Sequence, residues 1–235
     1  MIRKFLFFIL IFNLTACAEL QQVVNQLPQG GGVLSNADIA AGLRQALNFG
    51  IEKQVSKLTQ TDGFFKNELV KILLPDELKK VDKALRDIGL SSLADDGLKV
   101  LNRAAEDAVK EATPIFVDAV KGITFTDAKN ILIGNDDAAT QYLTTKTQTA
   151  LYAKFNPVIK NSFSKVGADK IWSNLITKYN NIPFTADVNP DLTDYVTNEA
   201  LKGVYTMIAV EEKDIRTKLS SRTTDLLRKV FALQD

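Results

Sequence analysis

The chain has 235 residues, one cysteine, no histidine and a formal charge of +1. The lack of histidine excludes imidazole-based acid–base catalysis, Ser-His-Asp triads and the usual zinc sites. The near-neutral balance gives no electrostatic footing for nucleic acid or anionic lipid.

Met1-Ile2-Arg3-Lys4 is a short cationic start, residues 5–12 are an unbroken apolar run, and Leu14-Thr15-Ala16-Cys17 follows. A secretory signal needs a positive start, an apolar stretch and small residues before the cut. The apolar run is far shorter than the roughly 20 residues of a spanning helix. Leu14-Thr15-Ala16-Cys17 resembles the lipobox read by bacterial lipoprotein signal peptidase. The expectation is a signal peptide over 1–16, cleaved before Cys17, which becomes the lipidated N-terminus. Each buried methylene contributes about 0.8 kcal/mol, so two acyl chains anchor a protein where one does not. Residue 18 is Ala rather than Asp. By resemblance to sorted lipoproteins of double-membraned bacteria, that points to the outer membrane and a domain facing the periplasm. Cleavage removes Arg3 and Lys4 and moves the charge from +1 to about −1. Acylation of Cys17 leaves neither a free thiol nor a disulfide. Any catalysis would rest on carboxylates, Lys, Tyr, Ser or Thr, and no cofactor or metal is expected.

Residues 17–34 read as the lipidated N-terminus and a tether. A short helix over 18–27 is broken by Pro28-Gln29-Gly30-Gly31-Gly32, a flexible composition. From 35 to 235 the pattern is helical nearly throughout. Ser35 or Asn36 can cap a helix in which Ile39, Leu43, Leu47, Ile51 and Leu58 recur at near-helical spacing. Further helices are predicted over 75–88, 93–113, 114–120, 127–133, 136–166, 168–179, 192–218 and 221–232. Gly89, Gly122, Gly134 and Gly167 fall at helix ends, where a left-handed residue is expected, and Pro114 and Pro157 should start or kink helices. No alternating strand pattern of useful length interrupts them. The fold class is all-α, a single multi-helix domain large enough for one core.

From the 93–113 helix into the next, Leu101, Ala104, Ala105, Ala108, Ala112 and Ile115 form a packing face rich in small residues. Arg103, Glu106, Asp107 and Lys110 fall on the other side, with Arg103–Asp107 and Glu106–Lys110 spaced for i, i+4 pairs. Asn135, Asp136 and Asp137 join two helices as a candidate surface site, together with Glu212. Asp136 and Asp137 are placed to cap the following helix, and no EF-hand pattern supports calcium. Thr140, Thr144, Thr145, Thr147 and Thr149 either line a polar pocket or bond back to carbonyls. Trp172, Tyr179 and Phe184 flank a longer loop, as a lid or as pins to the core.

Glu211 is the sharpest anomaly. Val196, Ala200, Val204, Met207, Ile208 and Ile215 mark an apolar helix face, and Glu211 projects into its middle, with Glu212 at its edge. A carboxylate facing a core must be paired, hydrogen-bonded or protonated. Lys146 projects among Ala139, Tyr142, Leu143 and Ala150, so a Glu211–Lys146 pair is expected as a buried polar site. Arg44, Arg103 and Arg222 are rival partners.

Asn102-Arg103-Ala104-Ala105-Glu106, Gly134-Asn135-Asp136-Asp137-Ala138-Ala139-Thr140, Tyr195-Val196-Thr197, Glu211-Glu212-Lys213-Asp214-Ile215-Arg216 and Leu226-Leu227-Arg228-Lys229-Val230-Phe231 resemble segments of the bacterial domain of unknown function (DUF) 4197 family. The resemblance spans roughly residues 35–232. It implies an envelope protein with a lipoprotein or secretory signal, and it implies no reaction and no catalytic residue. Three functional readings follow. The first is a non-enzymatic, membrane-anchored lipoprotein whose helical domain binds an envelope protein or a small ligand. The second is a hydrolase using Glu211 with Glu212 or Asp136, which needs two carboxyls about 5–9 Å apart in an open cleft. The third is a carrier of an apolar ligand, which needs a large pocket between helices.

Overall fold

The computed structural model describes residues 35–87, 89, 91–168, 177 and 192–232. The signal, Cys17, the tether, most of the 168–179 segment and the loop with Trp172, Tyr179 and Phe184 lie outside them. Every element among the described residues is helical: α1 (Asn36–Leu58), α2 (Asp76–Asp87), α3 (Ser91–Val109), α4 (Ala112–Lys121), α5 (Phe125–Ile133), α6 (Ala138–Val166), α7 (Leu192–Thr217), a 3-10 turn (Leu219–Ser221) and α8 (Asp225–Phe231). None of these helices is long and apolar enough to cross a membrane.

The two longest helices, α6 and α7, pack side by side as the centre of the Asn36–Asp235 unit. Helix α3 lies against both of them, and α4 against α6 and α1. Helix α1 also packs on α7, α5 and α8. The helical periodicity has a direct physical consequence. In α6, Leu143, Thr147, Leu151, Phe155, Ile159 and Phe163 recur every fourth residue and are all buried. Their counterparts in α7 are Val196, Ala200, Val204 and Ile208. Leu43, Ile51 and Leu58 close the core from α1, and Leu101, Ala104, Ala105 and Ala108 from α3. The small side chains of α3 let α6 approach closely, as the sequence pattern requires. Ile115 is the exception, being half-buried in α4.

Helix boundaries shift where turns intervene. The predicted 93–113 helix ends at Val109, and a new one starts at Ala112, with Pro114 in its first turn. There the missing N–H costs no helical bond. Helix α6 continues through Pro157, although the ring removes one hydrogen bond from its interior. Gly167 ends α6 in the left-handed region at φ 69°, whereas Gly122 and Gly134 end α4 and α5 at ordinary negative φ.

Between α1 and α2 runs a non-helical connection, residues 59–75, and this is where helical projection misleads. Val70, Ile72 and Leu74 are buried while Leu69 and Leu73 are exposed. That alternation is the signature of an extended segment laid on the core.

Candidate functional site

The second half of α7 carries the acidic pair singled out by its position, and the two carboxylates point into different neighbours. Glu211 is 2% exposed. Its Oε1 accepts from Lys53 Nζ at 2.8 Å and its Oε2 from Gln54 Nε2 at 2.7 Å, both on α1. Gly50, one turn earlier on α1, makes room: a Cβ there would lie 3.2 Å from Glu211 Cγ.

The expected Glu211–Lys146 pair does not form. Lys146 is on the exposed side of α6, with its ammonium 5.7 Å from the Tyr142 ring. The rival arginines are committed elsewhere. Arg44 donates to the Ile123 carbonyl, Arg103 to Asp62 and Glu106, and Arg222 to the carbonyls of Ile215 and Arg216. Gln54 was the available signal for the true partner, since it interrupts the apolar face of α1 between Ile51 and Leu58.

Glu212 is buried, not on the surface, and does the capping expected of Asp136 and Asp137. It accepts from the backbone N–H of Ala139 at 2.9 Å and of Thr140 at 2.8 Å, and from the Thr140 hydroxyl at 2.8 Å. These are the unpaired amides that begin α6, where the helix dipole favours a carboxylate. Arg216, one turn along α7, holds Glu212 Oε1 at 2.8 Å. It also donates to the Ile131 and Leu132 carbonyls at 2.8 and 3.3 Å. One side chain thus caps the end of α5 and the other the start of α6. Asp136 and Asp137 stay exposed, as does Asn135. Asp137 makes no side-chain cap and accepts instead from Gln141. The nearby threonines bond back: Thr144, Thr145 and Thr147 donate to the carbonyls of Thr140, Gln141 and Leu143.

The same logic operates at the other end of the core. Asn102 lies in α3 with its amide paired to the backbone of Ile72: Oδ1 accepts its N–H at 2.8 Å and Nδ2 donates to its C=O at 2.9 Å. Glu106, expected in solvent, is buried and accepts the Phe64 N–H at 3.1 Å. Arg103 joins Glu106 to Asp62, at 2.6 Å to each. The anticipated Arg103–Asp107 and Glu106–Lys110 pairs are replaced by these and by Lys110–Asp107. Asp62 sits in the left-handed region at φ 68°. The Lys66 ammonium hydrogen-bonded to it, with Arg103 beside it, holds its carboxyl below the usual range. The Glu106 carboxylate in turn raises the Arg103 guanidinium.

A family model for a protein of unknown function (DUF4197) matches residues 33–232. The chain belongs to the DUF4197 family. No curated protein and no solved structure matches it. The segments that carry the resemblance are thus, in this DUF4197 domain, mostly backbone clasps. Asn102 to Glu106 fastens the 59–75 connection, Glu212 holds the Ala139–Thr140 end of the 134–140 segment, and Arg216 holds the α5 carbonyls just before it. Tyr195 donates to the Leu73 carbonyl at 2.9 Å. Leu227, Val230 and Phe231 are buried in α8, and Gly42 of α1 admits Val230 at close approach.

The space beside Glu211 and Glu212 is about 20 Å³, room for a single water. No group of His, Cys, Asp or Glu suited to a metal occurs among the described residues. Two open grooves of about 600 Å³ each lie elsewhere. One runs along Leu69, Leu73, Pro75 and Tyr195, the other along Ile39, Phe125, Lys129 and Ile133.

Proposed function

We propose that this protein is an envelope lipoprotein, anchored through Cys17 and facing the periplasm, whose helical domain acts by binding a partner protein or a small ligand. The reading is carried by one observation. Glu211, which the hydrolase reading needs together with Glu212 or Asp136, is committed to Lys53 and Gln54, and Glu212 to Arg216 and helix-end amides. They do not converge on an open cleft. A 20 Å³ space beside them likewise admits no apolar cargo. What is left for recognition is surface: two open grooves bearing Leu69, Leu73 and Ile133, all well exposed. Exposed apolar residues rimmed by polar ones are common at contact sites.

Two measurements test the reading. Mass spectrometry of the mature chain is expected to find a diacylglyceryl-modified Cys17, absent from Cys17→Ala. Crosslinking in intact cells from positions in the groove along Leu69 and Leu73 is expected to capture a discrete envelope partner. Turnover of envelope substrates by the purified mature chain, abolished by Glu211→Gln, would overturn it in favour of a hydrolase.

A further inference from the structure

We infer that the groove between the first turn of α1 and the outer side of α5 is the face on which the domain rests against a lipid bilayer. This names the partner of one groove, and it rests on the acylation of Cys17 proposed above.

Three observations meet there. On α5, Phe125, Lys129 and Ile133 are spaced i, i+4, i+8, which sets them in one stripe. Ile133 is 74% exposed, more than any other large hydrophobic residue among those described. Thr217 lines the same groove, and Leu219, two residues on, is also well exposed.

The second observation is electrostatic. Lys129 and Asp136 are both on the lining and offset each other, and Arg216 is held by Glu212. Attraction to this face is therefore apolar rather than ionic, and neutral lipid suffices. An apolar helix side of this kind lies about 5–10 Å into the boundary between headgroups and acyl chains. The Lys129 stem can follow it inward while the ammonium stays among the phosphates.

The third observation is where the anchor joins. Helix α1 begins at Asn36, and Ile39 on the groove wall is three residues further, about 4.5 Å along the axis. Asn36 stands 19 positions after Cys17, a reach of at most ~68 Å. Docking then becomes intramolecular, at an effective concentration on the order of mM, so a small apolar face is enough. The other groove is a separate site, within the tether's reach but lacking a wall at the start of α1 and a residue as exposed as Ile133. Tyr195 and Thr217 mark the two grooves on α7, and 22 helical residues separate them by about 33 Å.

The test uses the mature acylated chain in phosphatidylcholine vesicles. Because acylation occupies Cys17, Ile133→Cys and Leu73→Cys each introduce a single free thiol for an environment-sensitive fluorophore. Both positions are exposed, so neither change threatens the fold. The label at 133 is expected to shift to the blue and to be quenched by brominated lipid, while the label at 73 stays accessible to aqueous iodide. A Lys129→Cys reporter is expected to lose the blue shift when Ile133 is replaced by Asp. Equal iodide access at 133 and 73 in an acylated sample overturns the docking alone. An unmodified Cys17 in the mass spectrum overturns the anchor and the docking with it.

Discussion

Glu212 and Arg216 stand one turn apart on α7, 2.8 Å from each other, and between them they close both ends of the α5–α6 turn. Glu212 satisfies the first amides of α6 and Arg216 the last carbonyls of α5. Neither side chain is more than 5% exposed. Removing one leaves the other buried without its counter-charge, which costs about 3–5 kcal/mol. Glu212→Ala and Arg216→Ala are each expected to lower unfolding free energy by that order in urea titrations. Because the residues act as one unit, the double variant should lose less than the sum. Strict additivity would mean that the two caps work independently.

Glu211 should behave differently, because its partners differ in exposure. Lys53 is 51% exposed at its side chain against 3% for Glu211, so in its absence water can reach Glu211 Oε1 from the side that the stem vacates. Lys53→Ala is expected to cost no more than about 1 kcal/mol. Glu211→Ala leaves Gln54 Nε2 unpaired in the core, a loss of about 1–3 kcal/mol, to which lost packing against α1 adds. Urea titration of the two variants checks the order. A Lys53→Ala loss as large as that of Glu211→Ala would make the ion pair, not the buried amide, the dominant contact.

These two acids also mark how far the sequence could be read. Glu211 faces inward by the same projection that places Val204 and Ile208 in the core, because helical phase is a local property. Its partner is not local. Lys53 is 158 residues away and half in solvent, so nothing in its own helix marks it. The expectation that Asp136 and Asp137 cap α6 followed a sound local rule, yet a carboxylate arriving from α7 takes those amides. Helical projection sets Glu106 in solvent because it locates a residue relative to neighbouring helices only. The element covering it is the irregular 59–75 connection, whose backbone N–H groups need acceptors and whose path has no helical period.

That connection yields a third prediction. Asn102 is the partner of both backbone groups of Ile72, and Ile72 is buried. Asn102→Ala strands an N–H and a C=O, each with a desolvation penalty of about 1–3 kcal/mol. The loss should be local first. Hydrogen exchange is expected to accelerate at Ile72 more than at amides within α6, since the 59–75 segment has no ladder of its own to hold it. Uniform acceleration throughout the domain would mean that Asn102 supports α3 rather than the connection.

The last prediction concerns acid. At the start of α5, Thr124 and Asp127 form a reciprocal cap: the Thr124 hydroxyl accepts the Asp127 N–H, and Asp127 accepts from the Thr124 N–H and hydroxyl at 2.9 and 2.7 Å. The Thr124 hydroxyl, then its backbone N–H, hold the Asp127 carboxyl below its ordinary value. A carboxyl depressed in the folded state stabilises the fold fully above its unfolded pKa of about 3.9, and that contribution is lost as pH falls through the lower folded value. Stability should therefore fall on acidification below about pH 4 with a component assigned to Asp127. Thr124→Ala removes the cap, at about 0.5–2 kcal/mol near neutral pH. It should also return Asp127 toward its ordinary titration, flattening that acid component. Carboxyl-carbon NMR titration of Asp127 in both proteins, with urea melts between neutral and acidic pH, measures the two together. An Asp127 midpoint that does not rise in Thr124→Ala would place the cause of the depression elsewhere, with Lys146 the remaining cation acting on it.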